Sequence, residues 1–184
     1  NRLNEIFNNP QLFMDTVVRI IKQEFDRIKI NGIEYEKIAG QVYEMKLFEA
    51  AEIEHYLENL IEVQSQRKTL YNYIVIDSLS SPEKKFAKDC DSREDILFYV
   101  KLPEKFQIKT PIGNYNPDWA LIKREGGEET KIYFVAETKD PKAAKDRSLL
   151  RDRERMKIEC AEKHFAVIDN VNYRVVGSVS DLKV

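Results

Sequence analysis

The chain has 184 residues, 42% hydrophobic and 34% charged, with a net charge of −2. That length allows one domain with a real core, or one domain plus a small appendage. The near-neutral total argues against a non-specific DNA coat, although a local basic face can hide inside it.

Residues 10–28, "PQLFMDTVVRIIKQEFDRI", set Leu12, Phe13, Val17, Ile20, Ile21, Phe25 and Ile28 at helical spacing and predict an amphipathic helix. In the following "IKINGIEYEKI", Asn31-Gly32 divides two short β-prone runs and predicts a hairpin. Next, 42–48 read as a strand and 50–63 as a helix, and "YNYIVIDS" at 71–78 is a β-rich run. Ser80-Ser81-Pro82-Glu83 has the chemistry of a helix start: a serine cap, proline in the first turn and an acid suited to the helix dipole. That helix should run to about Cys90. Strands are then expected in "DILFYVKLP", "KFQIKT", "PDWALIKR" and "KIYFVAETK", with a turn at "PIGNY" and a loop at Gly126-Gly127. A long helix is predicted from about 144 to 163, followed by the strand "FAVID" and a further strand at "YRVVG". A meander flanked by helices implies an α/β protein of three layers, α/β/α.

Cys90 and Cys160 form no CxxC, and His55 and His164 are isolated, which argues against a zinc site. The cysteines read as reduced thiols in a cytoplasmic protein. No signal peptide or long apolar run is present, so no membrane association is expected.

The chemistry concentrates in "YNPDWALIKREGGEETKIYFVAETKD", residues 115–140. Asp118 opens one apolar strand, and Glu137 and Lys139 close its expected antiparallel neighbour. All three should therefore meet at one edge of the sheet. Glu137 and Lys139 are two residues apart and share a face in an extended strand. Two carboxylates and an ammonium around one spot suit a hard divalent ion with water and phosphate oxygens completing its shell. The metal would polarise a phosphoryl oxygen, and the lysine would position or deprotonate water. Hydrolysis of a phosphodiester fits this set. The plain alternative for any single member is a salt-bridged strand edge, but the joint pattern favours the functional reading.

Pro117-Asp118 and Glu137-Thr138-Lys139 match the PD-(D/E)xK nuclease pattern. With "SPEKKFAKD", "VKLPEKFQIKTPIGNYNPDWAL", "FVAETKD" and "LRDRERMKIECAEKHF", the chain resembles the C-terminal endonuclease domain of the restriction subunit of Type III restriction-modification enzymes. The resemblance is strong over 70–170 and weaker over 1–70; Asp140 stands where glycine is expected. It implies a restriction-endonuclease-like sandwich with a mixed central sheet over 71–184, preceded by an N-terminal helix and hairpin extension over 1–70. It further implies Mg²⁺-dependent (Mn²⁺ substituting) cleavage of double-stranded DNA, with Asp118 and Glu137 as metal ligands and Lys139 completing the catalytic set. An upstream ATP-driven helicase motor and a methyltransferase (modification) subunit would be its partners. The sequence has no GxxxxGK loop and starts at Asn1, as expected of a piece that carries the nuclease and not the motor. The alternatives are a nuclease of DNA repair or recombination, or an inactive nuclease-like docking module.

Glu83 corresponds to an acid that often completes the metal site in such nucleases, or it simply serves the helix dipole. Glu154 interrupts an apolar stripe of Leu150, Ile158, Ala161 and Phe165, so that it and Lys157 either point into the cleft or pair at its border. Arg147, Arg151 and Arg155 are spaced by four, forming a phosphate-binding face or an ordinary solvated one. Trp119 is expected in the core, and Tyr115 beside the catalytic strand, supporting the site or touching DNA.

Overall fold

The computed structural model describes residues 9–36, 60–70, 73–76, 81–124 and 131–183. In chain order its elements are α1 (Pro10–Asn31), β1 (Leu60–Glu62), β2 (Tyr73–Val75), α2 (Pro82–Ser92), β3 (Ile96–Lys101), β4 (Trp119–Arg124), β5 (Lys131–Thr138), α3 (Pro141–Lys145), α4 (Asp152–Ala166) and β6 (Val171–Val176). The main sheet has the order β3-β4-β5-β6. Its first two pairings are antiparallel and β5 runs parallel to β6, so the sheet is mixed. β1 and β2 pair antiparallel in a separate two-stranded sheet, with Ile61 opposite Ile74.

Strand alternation sends neighbouring residues to opposite faces, and each face has its own core. On one face Tyr99, Trp119, Leu121, Phe134 and Ala136 pack with Phe86, Ala87 and Cys90 of α2. On the other, Val135 and Tyr173 pack with Ile158, Ala161 and Phe165 of α4. This is the expected three-layer α/β/α arrangement. Burial on both faces explains why β5 reads as a continuous apolar run and not as an alternating one. Phe86 and Phe134 are fully buried, each contributing about 1.5–3 kcal/mol of transfer free energy.

Several local expectations are corrected. The Asn31-Gly32 hairpin does not form: the helix continues to Asn31, and Gly32 caps it, donating to the Ile28 carbonyl. Asn-Gly is a helix stop as well as a hairpin turn. Tertiary contacts decide here, because Ile30 is buried against Ile112, Met156 and Cys160, and Lys163 Nζ donates to the Ile30, Asn31 and Ile33 carbonyls. Upstream of Ile30 the predicted apolar stripe lies exposed at Leu12, Phe13, Ile20, Ile21, Phe25 and Ile28, and only Val17 is half-buried.

The helix predicted over 50–63 ends instead in β1, whose pairing with β2 outweighs its helical periodicity; residues 50–59 of that stretch, the strand at 42–48 and the Gly126-Gly127 loop lie outside the described residues. "KFQIKT" is reduced to one bridge between Ile108 and Tyr115. The intervening turn places Gly113 at φ 109°, in the left-handed region that glycine tolerates.

The long helix at 144–163 is broken in two. Asp140 caps α3, and Asp146 accepts from the Ser148 amide to form a separate 3₁₀ turn at Arg147–Leu149. Short polar side chains here compete with the helix for backbone donors. "FAVID" is not a strand, since α4 runs through Ala166 and the chain turns at Asn170, φ 62°. The two expected final strands are thus one, β6. Among the described residues no helix is long and apolar enough to cross a membrane. Both cysteines are free and buried.

Candidate active site

Register brings the three motif residues together. Trp119 lies opposite Ala136 across the β4–β5 pair, so Asp118, one residue before β4, and Glu137, near the end of β5, meet at the same sheet edge. Alternation sends Glu137 to the α4 face, alongside Val135. Lys101 closes β3 opposite Trp119 and so points to the α2 face. The acids therefore approach the sheet edge from both layers, with Asp118 between them.

Each central carboxylate has one oxygen held by the protein frame and another turned to an ammonium. Asp118 Oδ2 accepts from the Thr138 amide at 2.7 Å and from the Thr138 hydroxyl at 2.6 Å. Its Oδ1 lies 3.9 Å from Lys101 Nζ. Glu137 Oε2 accepts from the Tyr115 hydroxyl at 2.6 Å, while Oε1 lies 2.7 Å from Lys139 Nζ. The same Lys139 ammonium reaches Glu154 Oε1 of α4 at 2.8 Å. Lys101 Nζ in turn donates to Glu83 Oε2 of α2. Two acid–ammonium–acid arms result, Glu83–Lys101–Asp118 and Glu137–Lys139–Glu154.

Burial sets the electrostatics. Glu137 is only 5% exposed. Loss of hydration, reinforced by the charge of Asp118, pushes its carboxyl up to about 7 against the opposing pull of Lys139 and Tyr115. For Lys139, burial works against the charge, but Glu137 and Glu154 outweigh it and raise its pKa, so it stays an ammonium. Behind Glu137, the Tyr115 and Tyr173 hydroxyls lie 2.6 Å apart. Burial and the Glu137 charge push both phenols up, keeping them protonated as donors.

The family model described as "Endonuclease domain" matches residues 67–179, more than half of the chain and every residue named in these two arms. The chain belongs to this endonuclease-domain family. No curated protein and no solved structure matches it.

Within this endonuclease domain, Asp118, Glu137, Lys139, Glu154 and Tyr115 converge directly, and Glu83 joins them through Lys101. Glu154 does point into the site. Tyr115 is buried behind the carboxylate, with its hydroxyl committed to Glu137 and Tyr173. Asn116 explains its placement, donating to the Pro103 and Phe106 carbonyls and pinning the loop that carries Tyr115. Lys157 stays apart from the acids and donates to the Asn114 carbonyl at 2.6 Å. Arg151 is exposed at the start of α4, and its neighbours in the basic row are paired, Arg147 with Glu162 and Arg155 with Asp152. Trp119 is fully buried, as expected.

Sequence reasoning missed Lys101, Thr138 and Tyr173. Lys101 carried a usable signal, because a charge closing an apolar strand is the same feature that singled out Glu137. Thr138 and Tyr173 carried none; only their partners make them part of the site.

Among the described residues, no three Asp, Glu, His or Cys side chains are gathered as a metal-binding group. Lys101 stands between Glu83 and the other acids. Asp118 and Glu137 alone still fit Mg²⁺, which commonly takes one or two carboxylates and fills its shell with water and phosphate oxygens. Thr138 and Tyr115 take the other oxygens, so Asp118 Oδ1 and Glu137 Oε1, which face the lysines, are the ones such an ion would share with them.

Proposed function

We propose that this domain hydrolyses phosphodiester bonds of double-stranded DNA with Mg²⁺, and that it is the nuclease part of a Type III restriction subunit. The observation that carries the reading is the paired presentation of Asp118 Oδ1 and Glu137 Oε1 beside lysines, with their other oxygens pinned by Thr138 and Tyr115. When bound, the ion supplies charge neutralisation at the phosphoryl oxygen and a water of lowered pKa. Asp118 and Glu137 would hold it, in orientations fixed by the Thr138 and Tyr115 donors. Lys139, kept charged by Glu137 and Glu154, orients the attacking water and offsets the negative charge that develops on the phosphoryl group. An ammonium so held has no lone pair to act as base, which favours the positioning role over deprotonation. Glu83 assists from the α2 side.

The restriction assignment rests on the longer sequence blocks around the motif. It implies an upstream ATP-driven helicase motor in the same chain, a methyltransferase subunit that reads the DNA sequence, and work in the cytoplasm. A repair or recombination nuclease would share the site chemistry and differ in what precedes the domain.

The test is nicking of supercoiled plasmid with Mg²⁺ or Mn²⁺, alongside calorimetric titration of Mn²⁺. Wild type should bind Mn²⁺ and nick. Asp118→Ala should lose metal binding, and Lys139→Ala should keep it while nicking falls about a hundredfold or more. A wild-type protein that neither binds metal nor cuts would overturn the nuclease reading in favour of a docking module.

A further inference from the structure

Building on the metal-site reading above, we propose that Lys101 is a built-in counter-cation of this site. Its ammonium fills the space between Glu83 and Asp118 in the metal-free domain and is displaced when a divalent ion binds.

The placement is specific. Lys101 ends β3, and its Nζ donates to Glu83 Oε2, lies 3.9 Å from Asp118 Oδ1 and sits 5.3 Å from the centroid of the Trp119 ring. The Glu83 and Asp118 side chains are only 13% and 16% exposed. Two poorly hydrated carboxylates flanking one spot repel each other unless a cation separates them. A lysine is suited to a reversible role of this kind. Its ammonium is a compact point charge on a flexible four-carbon stem, so it makes no bidentate fork that would hold it in place. The Trp119 face adds a cation–π contact that keeps the chain laid across the core while the site is without metal. Lys139 differs, since it is held between Glu137 and Glu154 on the opposite layer and belongs to the motif itself.

A resident ammonium that competes with the metal makes a prediction opposite to that for an ordinary supporting residue: removing it should tighten metal binding. Mn²⁺ affinity would be measured by calorimetry for wild type, Lys101→Met and Lys101→Arg, with thermal unfolding in EDTA and in saturating Mn²⁺. Deleting one like charge beside a partly buried ion should lower the Mn²⁺ Kd of Lys101→Met by about tenfold or more. Lys101→Arg, which keeps the charge, should stay near wild type. In EDTA the Met variant should melt below wild type, because two acids have lost their cation, and Mn²⁺ should restore it.

A folded Lys101→Met that binds Mn²⁺ no more tightly than wild type overturns the proposal and leaves the metal site standing. Should that variant fail to fold in EDTA, recovery of the fold on adding Mn²⁺ supports the proposal, and failure to recover overturns it. If neither wild type nor Lys101→Met binds Mn²⁺, the metal-site reading falls and the role of Lys101 falls with it. Binding by Lys101→Met alone supports both.

Discussion

Glu137→Gln should abolish a fall in stability that the metal-free domain otherwise shows as pH rises towards neutrality. The unfolded chain ionises Glu137 near the ordinary 4.5, whereas burial lifts the folded carboxyl to about 7. Between those values the unfolded state has released its proton and the folded state has not, so the unfolded state binds fewer protons. Stability must then fall as pH rises through this window and level off above the folded value. At about 1.4 kcal/mol per pH unit, the full effect is about 3 kcal/mol. Glutamine keeps the shape and can still accept from Tyr115, yet has no proton to lose. Urea unfolding of both proteins in EDTA, at several pH values from 5 to 8, gives the comparison. The wild type should lose about 2–3 kcal/mol relative to Glu137→Gln across that range. If Mg²⁺ takes Glu137 as proposed, saturating Mg²⁺ at pH 8 should raise the stability of the wild type well above its value in EDTA and that of Glu137→Gln much less, because only the ionised carboxylate would bind it. Parallel pH profiles in EDTA would refute the reasoning and mean that Glu137 is already ionised well below pH 7 through its pairing with Lys139.

Tyr115→Phe should cost about 1–3 kcal/mol, because it removes the donor to Glu137 Oε2 and separates Tyr173 from the network. It should also weaken Mn²⁺ binding; an unchanged urea midpoint with unchanged Mn²⁺ affinity would deny it a positioning role. Gly177→Ala should be destabilising by about 1–3 kcal/mol, since a Cβ there would lie 2.7 Å from the Pro141 Cα. The segment it pushes is the one that Lys139 starts by donating to the Val176 carbonyl, so nicking should fall as well; an unaltered urea midpoint would show that α3 yields freely.

The meeting of Asp118, Glu137 and Lys139 at one sheet edge was legible because these residues are local in sequence. Pro117-Asp118, a hairpin-length gap and an apolar run ending in Glu137-Thr138-Lys139 are tied by one antiparallel register, and a pleat of period two does the rest. Local signals also delivered α2, whose first turn holds Pro82 and Glu83 although the Ser81 side chain makes no capping bond, and the three-layer arrangement, from strands bracketed by helices. Where elements failed, a local signal had two meanings. Asn31-Gly32 serves a helix end as well as a hairpin, and residues 144–151 carry helical spacing along with Asp146 and Ser148, which break it.

Tertiary structure alone decided how the acids are partnered. Glu154 was known to interrupt an apolar stripe, but only the packing of α4 on the sheet turns it to Lys139 and leaves Lys157 to the Asn114 carbonyl. Lys101, Thr138 and Tyr173 come from strands or strand ends whose neighbours are set by long-range pairing. Charge identity is written residue by residue, and so the sequence determined which groups are available for chemistry. Their ionisation and pairing depend on desolvation and on distances of a few ångströms between remote segments, and those exist only once the layers have closed.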